Sequence, residues 1–361
     1  MKVVIGLILA VHGLIHSLGF VKAIAPEKIP QLKQPVSQSA GWLWLITSFM
    51  FLLSGYLVTT HTAWWIITLA TIIGSQILII SWWADSRLGT LVNVVLLLIC
   101  IPEIAEWRFV KSFHDQSAAL YINTTPPLLT EEDLNSLPEP VKKYIRWTGA
   151  VGKPKIKNFT IEFEGKIRQD EQSAWMPFST IQVNSIDPPV RLFFMNATMK
   201  HLPVTGFHNY NKGIATMDIR LLSLFTVQYQ EGNTMNVSET VTWFNDLCLF
   251  AAGALIDNRI EWQAIDSLNT LATFNYNDIS ISARLIFDPQ GRLIDFISND
   301  RYRIINETDQ SLQQFSTPIH TYRTINGYTV PYRADAVWNL AGGQLVYGEF
   351  TCIHIGYNLQ H

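Results

Sequence analysis

The stretch WWIITLATIIGSQILIISWW (residues 64–83) runs for twenty residues without a charge and is bounded at both ends by paired tryptophans. At ~1.5 Å per residue, a helix of that length matches the ~30 Å hydrocarbon core of a bilayer. Three runs of the same kind accompany it: Val3–Phe20, Trp42–Thr60 and Leu88–Trp107. The seven tryptophans at 42, 44, 64, 65, 82, 83 and 107 all fall at the ends of these runs. Amphipathic rings at such positions mark a membrane–water interface. The pattern predicts a four-helix transmembrane bundle over residues 1–107, with helices at about 3–20, 42–60, 64–83 and 88–107.

Composition agrees. Of 361 residues, 48% are hydrophobic and only 15% charged, with a positive mean hydropathy. Residues 1–111 carry seven Lys/Arg against four Asp/Glu, whereas the remainder carries nineteen against twenty-five. An acidic C-terminal part without a basic run excludes nucleic-acid binding by phosphate neutralisation. The membrane bilayer is the partner implied; nothing sets the oligomeric state. Cys100, Cys248 and Cys352 form no CxxC pair, so a zinc or redox motif is unsupported, while a Cys248–Cys352 disulfide stays open.

Lys2 and Ala23-Ile24-Ala25 imitate a cleavable signal, but Pro26 at the following position blocks cleavage, and the first helix is expected to be retained. Lys22, Lys28, Lys33 and Arg87 lie in the first and third loops, while the second loop (His61, Thr62, Ala63) has no Lys or Arg. Lys2, Arg108 and Lys111 fall on the opposite side. The bias places both termini, and with them the C-terminal domain, outside the cytoplasm.

The first helix contains HGLIHSLGF (12–20), beside a stripe of small residues, Gly6, Ala10, Gly13 and Ser17, that permits close helix packing in lipid. His12 and His16 share a face next to that stripe and are expected to point into the bundle. Depth counting sets His12 level with Gln76, and His16 level with Asp85 and Asn93. Structural hydrogen bonding ranks first for this cluster, ahead of a ligand or proton site. Two histidines on one helix face cannot supply both axial ligands of a haem. A metal would need a third ligand, for which Asp85 is the only carboxylate near that depth. The spacing is not HExxH. No cofactor is implied.

Residues 108–155 read as a connector, with Thr130 capping an acidic first turn and a short helix at 141–147. From 156 to 361 the period changes to two. NFTIEFEG (158–165) and ISISARLIF (279–287) alternate apolar and polar residues, and strands are also expected at 190–199, 260–264, 269–276 and 345–355. Asp187-Pro188-Pro189, Asp288-Pro289-Gln290-Gly291 and Asn326-Gly327 mark turns. One helix, SETVTWFNDLCLFAAGAL (238–255), with Ser238 as its cap, is apolar on most sides and must be buried. The fold class is a four-helix membrane bundle followed by an α+β domain. That domain is a curved, mainly antiparallel sheet (a half-barrel) with one or two covering helices. Trp243, Phe244, Leu247 and Phe250 are the candidates for lining an apolar ligand cavity beneath the helix.

Catalytic motifs are lacking: no glycine-rich nucleotide loop, no GxSxG elbow and no compact metal cluster. His201, His208 and Asp218 around a turn-like segment with Pro203 and Gly206 are a weak ligand set. Asp246, Asp257, Glu261 and Asp266 read as solvated loop charges.

The segments HGLIHSLGFVKA, SQILIISWWADSRLGTLVNVVLLL and LPEPVKKYIRWTGAVGKPKI resemble a widespread bacterial family of no assigned function that joins four membrane helices to a β-rich domain. The β part is similar in element order to the half-barrels of periplasmic lipoprotein carriers of the LolA/LolB kind. That resemblance implies an apolar cavity and a lipid or other hydrophobic ligand, and it carries over no catalytic residues. The expected function is therefore a membrane-anchored binding protein. The alternatives are a metal, redox or proton-handling protein using the membrane histidines, and a structural or assembly subunit.

Overall fold

The computed structural model describes residues 2–60, 63–305 and 309–361. The chain divides into two compact units, Met1–Phe109 and Val110–His361. His61 and Thr62 of the uncharged second loop lie outside the described residues.

The first unit is helical: α1 (Lys2–Ile24), α2 (Gln38–Thr60), α3 (Trp64–Ser81), the single turn α4 (Trp83–Ser86) and α5 (Gly89–Ala118). The four long helices are long and apolar enough to cross a membrane. Their outer faces expose Leu7, Leu14, Ile46, Phe49, Ile73 and Leu98, a surface that water would not tolerate. The small residues of α1 bring it against α2. A methyl group on Gly13 would stand 2.9 Å from Phe51 Cβ and 2.9 Å from the Ser48 carbonyl, so only glycine admits this approach. The tryptophans are not all interfacial. Trp44 and Trp64 are buried among the helices, Trp44 against His16 and Trp64 beside Glu103.

α5 runs past Trp107 to Ala118, which corrects the expectation of a connector from 108. The segment FVKSFHDQS carries an apolar stripe rather than loop residues, and Phe113 packs 5.7 Å from Phe194 and 5.9 Å from Phe207, centroid to centroid.

In the second unit, Asp133 Oδ2 accepts from the Thr130 backbone and hydroxyl, so the side chain caps backwards and only a 3₁₀ turn forms at Glu132–Leu134. Helix α6 (Glu139–Trp147) starts at its proline-bearing first turn, because Pro140 lacks only an N–H that would go unused there. Six strands follow as a meander: β1 (Asn158–Ile167), β2 (Met176–Ser185), β3 (Val190–Met199), β4 (Leu202–Asn211), β5 (Ile214–Leu221) and β6 (Phe225–Glu231). Helix α7 (Asn233–Phe250) then leads to β7 (Ile260–Ala264), β8 (Asn269–Tyr276), β9 (Ile279–Phe287) and β10 (Leu293–Ser298). The chain ends with β11 (Tyr302–Ile304), β12 (Gln310–Leu312), β13 (Gln314–Ser316), β14 (Ile319–Ile325), β15 (Tyr328–Leu340) and β16 (Gly343–Tyr357).

Fourteen strands form one antiparallel sheet in the order β6-β5-β4-β3-β2-β1-β16-β15-β13-β10-β9-β8-β7, with β14 paired to β15. β6 and β7 are its two edges, so the sheet stays open as a half-barrel. The chain crosses from one edge to the other through α7, which packs on strands from both halves. Alternation holds where it was read: Phe159, Ile161 and Phe163 are buried on β1 while Glu162 and Glu164 face out. Asn326 and Gly327 take φ of 50° and 77° in the β14–β15 turn, as a two-residue hairpin needs.

The supposed turn around Pro203 and Gly206 is instead the body of β4; the reversal lies at Lys200 and His201, which adopt φ of 50° and 68°. α7 begins five residues before Ser238, whose hydroxyl accepts from the Tyr302 backbone N–H rather than capping. All three cysteines are buried free thiols, so the Cys248–Cys352 bridge does not form.

Candidate functional site

α7 has two faces with different neighbours. Trp243, Phe244 and Leu247 are fully buried in the apolar core, Trp243 and Phe244 against Phe274 at 4.9 and 5.5 Å. Trp243 Nε1 also donates to the Ser185 carbonyl. The other face presents Glu239, Thr242, Asn245, Asp246, Leu249 and Phe250 to a cavity of about 250 Å³ between the helix and the concave side of the sheet. Of the residues expected to line a cavity, Phe250 does so; Trp243, Phe244 and Leu247 point the other way.

Most of the wall is apolar. Phe163 and Ile167 come from β1, Phe178 from β2, Phe193 and Met195 from β3, Met217 and Ile219 from β5, and Phe350 from β16. β3 is buried on both faces: Arg191, Phe193 and Met195 face the cavity while Phe194 packs on Phe113. The helix end beside the cavity is tied down by tyrosines. Tyr144 Oη donates to the Cys248 and Leu249 carbonyls and Tyr357 Oη to that of Phe250, satisfying carbonyls that the helix terminus leaves unpaired.

One end of the cavity is ionic. Arg191 Nε donates to Asp246 Oδ2 at 2.7 Å, Nη1 to Glu239 Oε2 at 3.1 Å and Nη2 to Gln182 Oε1 at 3.2 Å. Gln182 Nε2 donates in turn to Asp246 Oδ2 at 2.7 Å. Burial alone would push the Glu239 carboxyl up, but the charges of Arg191, His208 and Arg301 outweigh it and hold the group at about 2. His208 Nδ1 lies 3.4 Å from Glu239, Asp218 pairs with Arg220, and His201 occupies the β3–β4 turn, so the three do not converge. Asp246 is a cavity residue, not a loop charge. Asp257 is bound by Arg259, Glu261 by Asn275 and Asp266 by Asn269. Arg191 and Gln182 carry no motif, but the polar spacing Glu239–Thr242–Asp246 on an apolar helix is a readable signal of this face.

The helical unit brings four of its five candidates together with two residues that pattern reading missed, Ser75 and Thr90. A carbonyl can only accept, so His16 Nδ1 donates to the His12 carbonyl at 3.0 Å, and in the neutral ring Nε2 accepts from Ser75 Oγ at 2.8 Å. Asn93 Nδ2 donates to Ser75 Oγ and to Gln76 Oε1, each at 3.0 Å, and His12 Nε2 donates to Asn93 Oδ1 at 3.0 Å. Gln76 Nε2 completes the chain on Thr90 Oγ1 at 3.1 Å. Asn93 is thus the hub, reached by His12 and not by His16. Asp85 stands outside the network: its Oδ2 accepts from the Gln34 backbone N–H at 2.7 Å, where the first loop can solvate a carboxylate. Among the described residues no group of three or more His, Cys, Asp or Glu is placed to hold a metal.

A family model described as "Family of unknown function (DUF6544)" matches residues 127–350. The match includes LPEPVKKYIRWTGAVGKPKI and stops short of the helical unit. No protein of curated function matches the chain. Among solved structures, the chain is similar to a DUF1329 family protein from Desulfovibrio piger, at 9% identity and a TM-score of 0.34, covering 61% of this chain and 92% of that one. It is also similar to a LolA superfamily protein from Nitrosomonas europaea, at 10% identity and a TM-score of 0.29, covering 62% and 92% respectively.

Proposed function

The chain belongs to that family of unknown function, whose matched residues include every residue lining the cavity, and we propose that the β unit holds a lipid or other apolar ligand there. The observation that carries this reading is the cavity itself. A core that had no occupant to hold would close on α7, since interiors pack to the density of organic crystals. Here a sheet whose edges never meet leaves about 250 Å³ walled largely by phenylalanine, methionine and isoleucine, with polar and charged groups among them. A mainly apolar wall with a few polar groups is how ligand sites are built.

The four apolar helices support anchoring in a membrane, which we read as a bacterial cytoplasmic membrane. The Lys and Arg of the first and third loops favour the β unit on the outer side of that membrane. His12, His16, Gln76 and Asn93 serve here as hydrogen-bonded glue between α1, α3 and α5, since each finds partners within the group.

Native mass spectrometry on the full chain tests the reading. Wild type should carry a bound apolar mass or take up an added fatty alcohol. Leu249→Trp, which fills the cavity from the helix side, should take up none while keeping its circular dichroism. Uptake by both proteins, or by neither, would overturn the reading.

A further inference from the structure

The concave face of the sheet continues beyond the cavity. Residues directly opposite each other in an antiparallel pair point to the same side, and that side alternates along each strand. Phe193 and Met195 of β3 line the cavity, and Ala197 and Met199 carry the same side to the end of the strand. Met199 pairs with Leu202 of β4. Leu221 of β5, two residues beyond the cavity residue Ile219, pairs with Phe225 of β6. Met199, Leu202 and Phe225 are 44%, 45% and 61% exposed. The β3–β4 and β5–β6 turns beside them stand together: the Leu222 backbone N–H donates to the Pro203 carbonyl at 2.9 Å, and the Thr205 and Ser223 hydroxyls lie 3.1 Å apart. The apolar lining therefore runs out of the cavity onto an exposed tip.

Two properties set this tip apart. Turns that face water are built mainly from Gly, Asn, Asp, Ser and Pro. Here the β5–β6 turn reads Leu222-Ser223-Leu224 and leads into exposed Phe225 and Val227. The charge is also one-sided. Between Asp187 and Glu231 the only carboxylate is Asp218, which Arg220 binds at 2.6 Å, and Lys200 stands exposed in the β3–β4 turn. That stretch lies in the part of the chain where Asp and Glu outnumber Lys and Arg. The next turn at this end, β1–β2, brings in Asp170 and Glu171 and bounds the surface.

Exposed apolar side chains among cations and without free carboxylates match a bilayer bearing anionic lipid. The apolar groups enter the acyl boundary while the cation meets head-group phosphates. A chain anchored by four apolar helices stays beside lipid, which favours that partner over a protein.

We propose that the β3–β4 and β5–β6 turns dock on the surface of a bilayer containing anionic lipid, with Met199, Leu202 and Phe225 inserted and Lys200 at the head groups. The docking stands whether or not the cavity takes a ligand, which the uptake measurement tests separately.

The test uses the full chain with Leu202→Cys labelled by the environment-sensitive fluorophore NBD, reconstituted into vesicles whose lipids carry doxyl quenchers on their acyl chains. One set is phosphatidylcholine and the other an equal mixture with phosphatidylglycerol. The native thiols are buried, and unsubstituted protein gives the background. The label at position 202 should shift to the blue and lose about half its emission or more in the mixed vesicles. A label placed by Ile265→Cys, at a residue 52% exposed but beside Asp266, should do neither. Lys200→Gln should weaken docking about fivefold, the share of one cation near an anionic surface. A label that stays aqueous at position 202 in both sets would overturn the proposal and leave the tip to a protein partner. Equal quenching in phosphatidylcholine alone would overturn it too, because the cation would then have no part.

Discussion

Both units bury a cluster of polar side chains, and the two clusters are built on opposite terms. In the helical unit, His12, His16, Ser75, Gln76 and Asn93 hydrogen-bond to one another. In the β unit, Gln182, Arg191, Glu239 and Asp246 form an ion network, while Asn245, Thr317 and Arg301 beside it keep unpaired atoms. The first arrangement is hydrogen-bonded within itself, although His12 and His16 also border a cavity of about 250 Å³. The second encloses space and stays partly unsatisfied, which is what a site for a molecule from outside requires.

The comparison can be broken by ranking substitutions. The largest loss is expected for Arg191→Met, which strands two buried carboxylates at a cost of ~3–5 kcal/mol in chemical denaturation. The triple change Arg191→Met, Glu239→Met and Asp246→Leu should recover most of that stability. Failure to recover would mean that the ions stabilise as well as specify. Next comes Gly13→Leu, whose side chain meets Phe51 and the Ser48 carbonyl; separating α1 from α2 should cost ~1–3 kcal/mol by thermal unfolding in detergent. Asn93→Leu should cost less, ~1–2 kcal/mol, since hydrogen bonds between membrane helices are individually weak. A loss from Asn93→Leu larger than that from Arg191→Met would reverse the contrast between the clusters.

A pH dependence of the β unit is a separate expectation. Glu239, held at about 2 against an ordinary 4.5, contributes stability that is present above about pH 4.5 and lost as pH falls towards 2. Asp295 has the opposite sign. Burial pushes its carboxyl up to about 6 from an ordinary 3.8, although the Thr317 N–H opposes the shift. Its contribution is full below about pH 3.8 and lost as pH rises through 6. Melting curves across this range should flatten at the acid end in Glu239→Gln and near pH 6 in Asp295→Asn. Unchanged profiles would sever these carboxyls from the stability of the unit.

Local pattern sufficed for the four apolar helices, the alternating strands β1 and β9, the Asn326-Gly327 hairpin and the buried helix that covers the sheet. Each follows from side-chain periodicity or turn chemistry within a short window. It failed where neighbours in sequence are not the deciding neighbours. The β3–β4 reversal uses Lys200 and His201, which announce no turn, because pairing of the flanking strands holds them there. The run VRLFFM reads as uniformly buried, and only the sheet's curvature decides that Arg191 and Phe193 look into a cavity while Phe194 packs beneath α5.

For this protein, then, sequence alone determined what each segment is: an apolar helix, a pleated strand, a wholly buried α7. It also nominated His12, His16, Gln76 and Asn93 as polar groups bound to find partners, because a polar group in an apolar run must be satisfied. Tertiary structure decided which partners those were, that Ser75 joins them and Asp85 does not, and which face of α7 borders empty space. Those outcomes depend on how the helices are set against one another and on a sheet whose edges β6 and β7 never meet. Both are properties of elements far apart in the chain, set by packing and not by any local run of residues.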